Sequence, residues 1–432
     1  MGLTFFKNTL ILTLLVCFSC TSQNKKQVEK TGSVEISMEN VKYENDKITI
    51  GANRFSEYHS LLKGKQIGIV ANQTSMVADI ADEEYQTSPQ HTLYMEFHIV
   101  DHLIKNGISV KKVFAPEHGF RGTADAGEHV KDGIDAKTGV PLISLYGSNK
   151  KPSKEQLEGI DVMVFDIQDV GARFYTYIST LHYVMEACAE AGIPVIVLDR
   201  PNPNGHYIDG PILEKENQSF VGMHPVPIVH GMTIGEYAKM INGEGWLKNN
   251  IQCELKVIEM QDYTHQTPYS LPIKPSPNLP NNKSINLYPS LCFFEGSFVN
   301  AGRGTDMQFQ VFGAPSLPAS EYTFEYTPQS NDGAKHPKFK NELCHGKDLR
   351  KEPRLSEINL EWLIDAYNAN ENLPVGKAGK KDFFNSFFVK LAGTKNLQQQ
   401  IEDGMSAEEI RDSWKEGLRS FEKIRAHYLL YP

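Results

Sequence analysis

Carboxylates, amides, arginines and tyrosines recur at five places along this chain, each just after a short apolar run. They are Asn72-Gln73, then Glu117-His118 with Arg121 close behind, then Tyr146, then the stretch Asp166, Gln168, Asp169, Arg173, Tyr175 and Tyr177, and finally Asp199-Arg200 with Asn202. Carboxylic acids in such a set can donate and accept protons as general acid and base. Amides and carboxylates also bond sugar hydroxyls, and aromatic rings cover sugar C–H faces. Any one of these residues could merely hold its own loop. Five polar groups at five successive run ends point to a shared site.

Other chemistries do not fit the pattern. A dinucleotide site needs G-x-G-x-x-G after its first strand so that backbone can approach a pyrophosphate, whereas the first run leads into Asn72-Gln73-Thr74-Ser75. Neither a Walker A sequence nor a G-x-S-x-G elbow occurs. His98 and His102 have the i, i+4 spacing of a zinc-binding helix, but the H-E-x-x-H glutamate is missing. These histidines are expected on a solvated helix face, and the site is expected to need no metal or cofactor. The chain has 44 Lys and Arg against 53 Asp and Glu, a net charge of −9, so no broad basic face is expected for nucleic acid.

A parallel sheet would bring the polar groups together. Apolar runs at 66–71 (QIGIVA), 110–115 (VKKVFA), 142–146 (LISLY), 161–167 (DVMVFDI) and 194–199 (PVIVLD) have the near-continuous hydrophobicity of strands buried on both faces. Helical stripes alternate with them: Leu93, Phe97, Val100 and Ile104 before Gly107, and Ile178, Leu181, Val184, Met185 and Cys188 before Gly192. Thr233 to Glu236 has capping-box spacing. This alternation predicts an α/β fold with an open, mostly parallel sheet, helices on both faces, and ligands at the strands' carboxyl ends. Five prolines within 268–280 forbid helix and central strand there. The expected division is a parallel domain at 51–268 and a smaller domain at 269–432, with a strand-like run at 307–312 and helices near 358–369 and 413–428.

Residues 1–20 read as an export signal: Lys7, an apolar run at 9–18 too short for a permanent span, and then Ser19-Cys20. The junction resembles a bacterial lipoprotein signal with Cys20 as the lipidated residue, although Cys17 stands where leucine is usual. Polar residues 21–32 suit a tether, and the extension is expected to run to residue 50. The expected location is the periplasmic side of the bacterial cell envelope, with membrane contact only through the lipid. Cys188, Cys253, Cys292 and Cys344 form no C-x-x-C motif; they can pair in an oxidising compartment or stay as buried thiols.

Longer motifs carry a family resemblance. They are GIVANQTS at 68–75, PEHGFRG at 116–122, DIQDVGARFYTY at 166–177, DRPNP at 199–203, PSPNLP at 275–280 and GRGT at 302–305. With these the chain resembles the exo-β-N-acetylmuramidases of glycoside hydrolase family 171, long catalogued as a bacterial domain of unknown function. The similarity runs from about Phe55 to Pro432. It implies a Rossmann-like domain and a smaller α/β (α+β) domain with the active site in the cleft between them. It also implies release of terminal β-linked N-acetylmuramic acid from peptidoglycan fragments. Glu117 matches the family's glutamate thought to be catalytic and is the first choice for general acid, with His118 beside it. Asp169 leads for the second group, ahead of Asp166 and Asp199, with Glu128 and Glu295 also in play. The 3-O-lactyl carboxylate of the substrate calls for an arginine fork; of Arg121, Arg173, Arg200 and Arg303, the choice falls on Arg173 or Arg303. Asn72, Gln73, Gln168, Tyr175, Tyr177, Asn202, His230 and Asn278 are further expected sugar contacts. The alternative is a muropeptide-binding envelope lipoprotein without catalysis.

Overall fold

All five apolar runs become strands. The computed structural model describes residues 41–42, 48–80, 94–121, 132–370 and 382–432, so Cys20, the signal and tether, and Glu128 lie outside the described residues. In chain order the strands are β1 (Val41–Lys42), β2 (Gln66–Ala71), β3 (Met76–Ile80), β4 (Tyr94–His98), β5 (Ser109–Ala115), β6 (Gly133–Ile134), β7 (Pro141–Ser144), β8 (Val162–Asp166), β9 (Val195–Leu198), β10 (Leu255–Ile258), β11 (Val311–Ala314), β12 (Phe324–Tyr326) and β13 (Cys344–Asp348). The helices are α1 (Phe55–Leu62), α2 (Ile99–Lys105), α3 (Lys154–Leu157), α4 (Tyr177–Ala191), α5 (Ile234–Gly243), α6 (Asn282–Leu291), α7 (Glu361–Ala369), α8 (Ser386–Ala392), α9 (Asn396–Glu402) and α10 (Ala407–Arg425).

The main sheet has seven strands in the order β10-β9-β8-β2-β5-β7-β6. Every neighbouring pair is parallel except the β6–β7 edge. The chain enters at β2, builds outward through β5 and β7, then crosses back to add β8, β9 and β10. The order therefore reverses between β2 and β8, the place where open α/β sheets hold ligands.

Side-chain alternation divides the core between two faces. Ile67, Ile69, Val162, Val164, Ile196 and Leu198 pack on one face with Tyr58 and Leu62 of α1 and Leu103 of α2. Val70, Met163, Phe165, Val195 and Val197 face the other way, against α4 and α5. Period-two sorting of runs that are apolar at every position is what a sheet covered on both sides requires. The second core does not stop at the parallel domain: it continues through Phe293, Phe312, Leu363, Phe388 and Trp414.

Those later residues belong to a smaller domain with an antiparallel sheet, β11-β13-β12. The proline run at 268–280 has neither helix nor strand. Thr233 accepts from the Glu236 amide and Glu236 reaches back to Thr233, completing the capping box of α5.

Three expectations need correction. The stripe read as one helix from Leu93 is a strand and then a helix, because residues 94–98 pair with β3 and helix begins only at Ile99. His98 and His102 are buried, not solvated. His98 caps α2 by accepting from the Val100 amide and its Nε2 lies 2.9 Å from the Asn72 carbonyl; burial lowers its pKa to about 4. The strand expected at 307–312 starts at Val311, since Phe309 takes a positive φ of 51° that breaks extension. The four described cysteines are buried thiols.

Candidate active site

Glu117 stands two residues past β5, and the backbone behind it is tightly turned. His118 and Gly119 have φ of 72° and 76° in succession, a left-handed pair that a non-glycine residue enters only when its surroundings enforce it. The Gly119 amide closes the turn onto the Pro116 carbonyl at 3.0 Å. The half-buried Glu117 carboxylate accepts from the Thr176 hydroxyl at 2.7 Å. The Tyr177 hydroxyl lies 3.4 Å from the Glu117 carbonyl and itself receives the Asn72 side-chain amide at 2.9 Å. Residues following β2 and β8 thus hold Glu117, which follows β5: Thr176 at the carboxylate, and Tyr177 with Asn72 at its backbone.

This carboxylate opens onto a cavity of about 710 Å³ between the parallel and smaller domains. Glu117, His118, Tyr175 and Thr176 line it from the parallel domain, Ser276 and Asn278 from the proline run. Pro275 presents its carbonyl to the Tyr175 hydroxyl at 2.8 Å, which ties that run to the strand ends. Opposite, the smaller domain supplies Glu295, Arg303, Lys335, His336 and Lys338. Arg303 Nη1 meets Glu295 Oε1 at 2.6 Å, and its Nη2 donates to the Gly333 carbonyl, which also accepts from Asn278. The Lys338 ammonium reaches the carbonyls of Phe294, Ser297 and Val299 at 2.7, 2.6 and 3.1 Å, with Glu295 O at 3.3 Å. Burial lowers its pKa to about 8.

Of the expected site residues, Glu117, His118, Tyr146, Tyr175, Asn278, Glu295 and Arg303 line this cavity. The other described ones do not, and each has a physical occupation elsewhere. Asp166 is fully buried in a two-point pair with Arg200, at 2.5 and 2.9 Å, so neither faces a sugar. Asp199 accepts from the Thr233 and Tyr431 hydroxyls and from the amides of Arg200 and Gly235, anchoring the start of α5. Asp169 is buried beneath its loop, accepts from the Gly171 amide at 2.7 Å, and has its pKa pushed up to about 7 by desolvation. It lies 4.0 Å from His230, whose ring is buried against Tyr237. Neither is placed to touch an anomeric carbon.

Arg173 departs furthest from expectation. Its guanidinium is fully buried and donates to four backbone carbonyls: Pro211 at 2.8 Å, Val226 at 2.7 Å, Leu391 at 3.1 Å and Ala392 at 2.6 Å. The last two are the final residues of α8, so the cation meets the negative end of a helix. A group occupied in this way is not a reader of lactyl carboxylate. Gly393, which ends α8 with φ of 75°, leaves the space: a Cβ there would stand 2.5 Å from Arg173 Nη2.

The remaining polar residues brace the loops. Asn202 donates to the Met232 carbonyl and packs against Gly171, where a Cβ would come within 2.2 Å of its amide. Gln168 spans the carbonyls of Asp169 and Pro201, and Gln73 those of Lys274 and Pro275. Asn72 and Tyr177 hold Glu117 from behind. Arg121 is exposed and forks onto Asp135. Sequence reasoning missed Thr176, Ser276 and Lys338. Thr176 and Ser276 sit inside quoted motifs, and adjacency to named residues was the available signal. Lys338 lies in no motif.

Comparison with known proteins agrees with this architecture. The family model described as "Exo-beta-N-acetylmuramidase NamZ, N-terminal" matches residues 67–283, and its C-terminal counterpart matches 286–431. The chain is 36% identical over 455 aligned positions to the peptidoglycan β-N-acetylmuramidase NamZ of Bacillus subtilis (strain 168), covering 99% of this chain and 98% of that protein. Crystal structures of two DUF1343 family proteins from Bacteroides fragilis NCTC 9343 superpose with TM-scores of 0.76 and 0.74, at 45% and 28% identity. Each match covers 89% of this chain and 99% of the other.

Proposed function

From the membership of this chain in the exo-β-N-acetylmuramidase NamZ family, we propose how its cavity performs the family's reaction. The protein is a glycoside hydrolase that releases terminal β-linked N-acetylmuramic acid from peptidoglycan fragments, a reaction of cell-wall turnover. Glu117 is the proton donor to the glycosidic oxygen. The observation that carries this role is that Glu117 is a cavity carboxylate bonded by the Thr176 hydroxyl, with its backbone held by Tyr177, which Asn72 supports in turn.

Glu295 is the other carboxylate among the described cavity residues. Where a protein carboxylate stabilises the anomeric centre, this reading assigns it to Glu295 in place of Asp169; otherwise the substrate's 2-acetamido group does so. Arg303, held by Glu295 and the Gly333 carbonyl, is the reader of the lactyl carboxylate, with Lys335 and His336 on the same wall.

Incubation with a disaccharide of N-acetylmuramic acid linked β to N-acetylglucosamine should release both sugars. Glu117→Gln should lower kcat by roughly 10²–10⁴, the usual contribution of general acid catalysis, while the melting temperature holds. Sugar binding without product in the unaltered protein would instead establish a binding lipoprotein. Export and lipid anchoring in the periplasm are supported by the apolar run at 9–18 and Ser19-Cys20. Cys20→Ala should move the protein from the membrane to the soluble fraction.

A further inference from the structure

We propose that Tyr146 and Phe220 form the subsite for the leaving sugar, and that Phe220 sets the preference for a saccharide there. This rests on the hydrolase reading above and extends it to the other side of the scissile bond.

The argument begins with where the proton must go. A general acid protonates the oxygen that bridges the two sugars, so the leaving ring lies beside the acid. β5 and β7 are parallel neighbours with Ala115 paired to Ser144. Glu117 and Tyr146 each stand two residues past that pair, at adjacent strand ends on the side away from β2. Tyr146 is half-buried and lines the same cavity as Glu117. The lactyl-bearing ring belongs with Arg303 on the opposite, smaller-domain wall. Aromatic rings line both walls, but the cavity cations Arg303, Lys335 and Lys338 stand on the wall assigned to the acidic sugar, and Tyr146 stands beside the acid, where the neutral sugar lies.

Phe220 completes the aromatic wall. It is half-buried and lines the cavity with Val221. A tight turn presents it: the Ser219 amide donates to the Gly222 carbonyl at 2.9 Å, and the Gly222 amide returns to Ser219 at 3.1 Å. Gln218 pins the turn to the Met223 carbonyl. Tyr183 stacks with the Phe220 ring at 17° between planes, Tyr146 lies 6.4 Å away between centroids, and the Lys150 ammonium sits 4.6 Å over the ring. These neighbours fix the ring while leaving part of it on the cavity. The volume, about 710 Å³, is well above the lower end of the roughly 300–1,000 Å³ range of small-ligand sites, which leaves room for a second ring.

The test compares two substrates on the full chain: the disaccharide of N-acetylmuramic acid and N-acetylglucosamine, and β-N-acetylmuramyl fluoride, whose leaving group is no ring. Phe220→Ala should lower kcat/KM for the disaccharide about tenfold more than for the fluoride, a difference of about 1.4 kcal/mol. Phe220→Trp should recover most of that loss, and thermal melts should show both variants folded. Equal effects on the two substrates, or no effect on either, would overturn the subsite while leaving the hydrolase standing. An unaltered protein that cleaves neither substrate would overturn the hydrolase reading and the subsite together.

Discussion

Asp169 carries its proton to unusually high pH for a carboxylate, and the cause is burial. Its folded-state pKa of about 7 lies above the roughly 3.9 of an unfolded aspartate. Between those values the folded protein keeps a proton that the unfolded chain has released. The stabilisation from this site is therefore complete below about pH 4 and is lost as pH rises through 7. Asp169→Asn has no such proton to lose, so its melting temperature should fall less between pH 4 and 8 than that of the unaltered protein; parallel curves would contradict this. Arg303 makes a prediction in ligand selectivity. Arg303→Met should reduce kcat/KM for N-acetylmuramides by about 100-fold, in line with roughly 1.5–3 kcal/mol for hydrogen bonds to a charged group. The loss on the corresponding N-acetylglucosaminide, which lacks the lactyl group, should be smaller. A similar loss on both would remove Arg303 from that role. Sequence could not separate these residues. An arginine that reads an anion and one that braces a loop occupy the same motifs, and only burial distinguishes Arg303 from Arg173.

At the scale of elements, the parallel strands were legible because burial on both faces leaves runs such as 162–166 (VMVFD) with almost no polar interruption. The strand β4 was hidden because Phe97 falls on a helical stripe with Val100 and Ile104, while its pairing with β3 is decided by contacts distant in sequence. Loops of the smaller domain were opaque for the same reason, and Lys338 shows it most plainly. Its ammonium gathers the carbonyls of the 294–299 segment that carries Glu295. Lys338→Met would leave these acceptors without their donor, at about 1–3 kcal/mol for each buried group left unsatisfied. A clear fall in melting temperature is expected, with activity reduced even below that temperature as Glu295 and Arg303 lose their alignment. Arg173→Met should destabilise by about 3 kcal/mol or more, since four carbonyls are released from a fully buried site. Denaturant titration measures it.

Across the whole molecule, one hydrophobic core runs from the sheet face at Val70 and Phe165 to Phe388, Trp414 and Phe421 of the smaller domain. The two domains should therefore unfold in a single cooperative transition, and calorimetry should show one peak for residues 41–432. Two resolved peaks would contradict the shared core. A chain ending at residue 283 should fail to fold, because it would expose the face that α4 and α5 share with the smaller domain. The net charge of −9 gives an acidic substrate no long-range attraction, so the proposed recognition rests on the few cations of the cavity.

That continuous core also bears on how such a protein can be inherited. A domain with its own closed interior can be cut from one gene and joined to another, but neither part of this chain can be lent out without leaving half an interior behind. The carboxylate proposed as proton donor belongs to one part and the arginine proposed to read the lactyl group to the other. Gene fusions and duplications should therefore carry the pair as a unit, and a lone first half in a genome would mark a decaying gene, not a smaller enzyme.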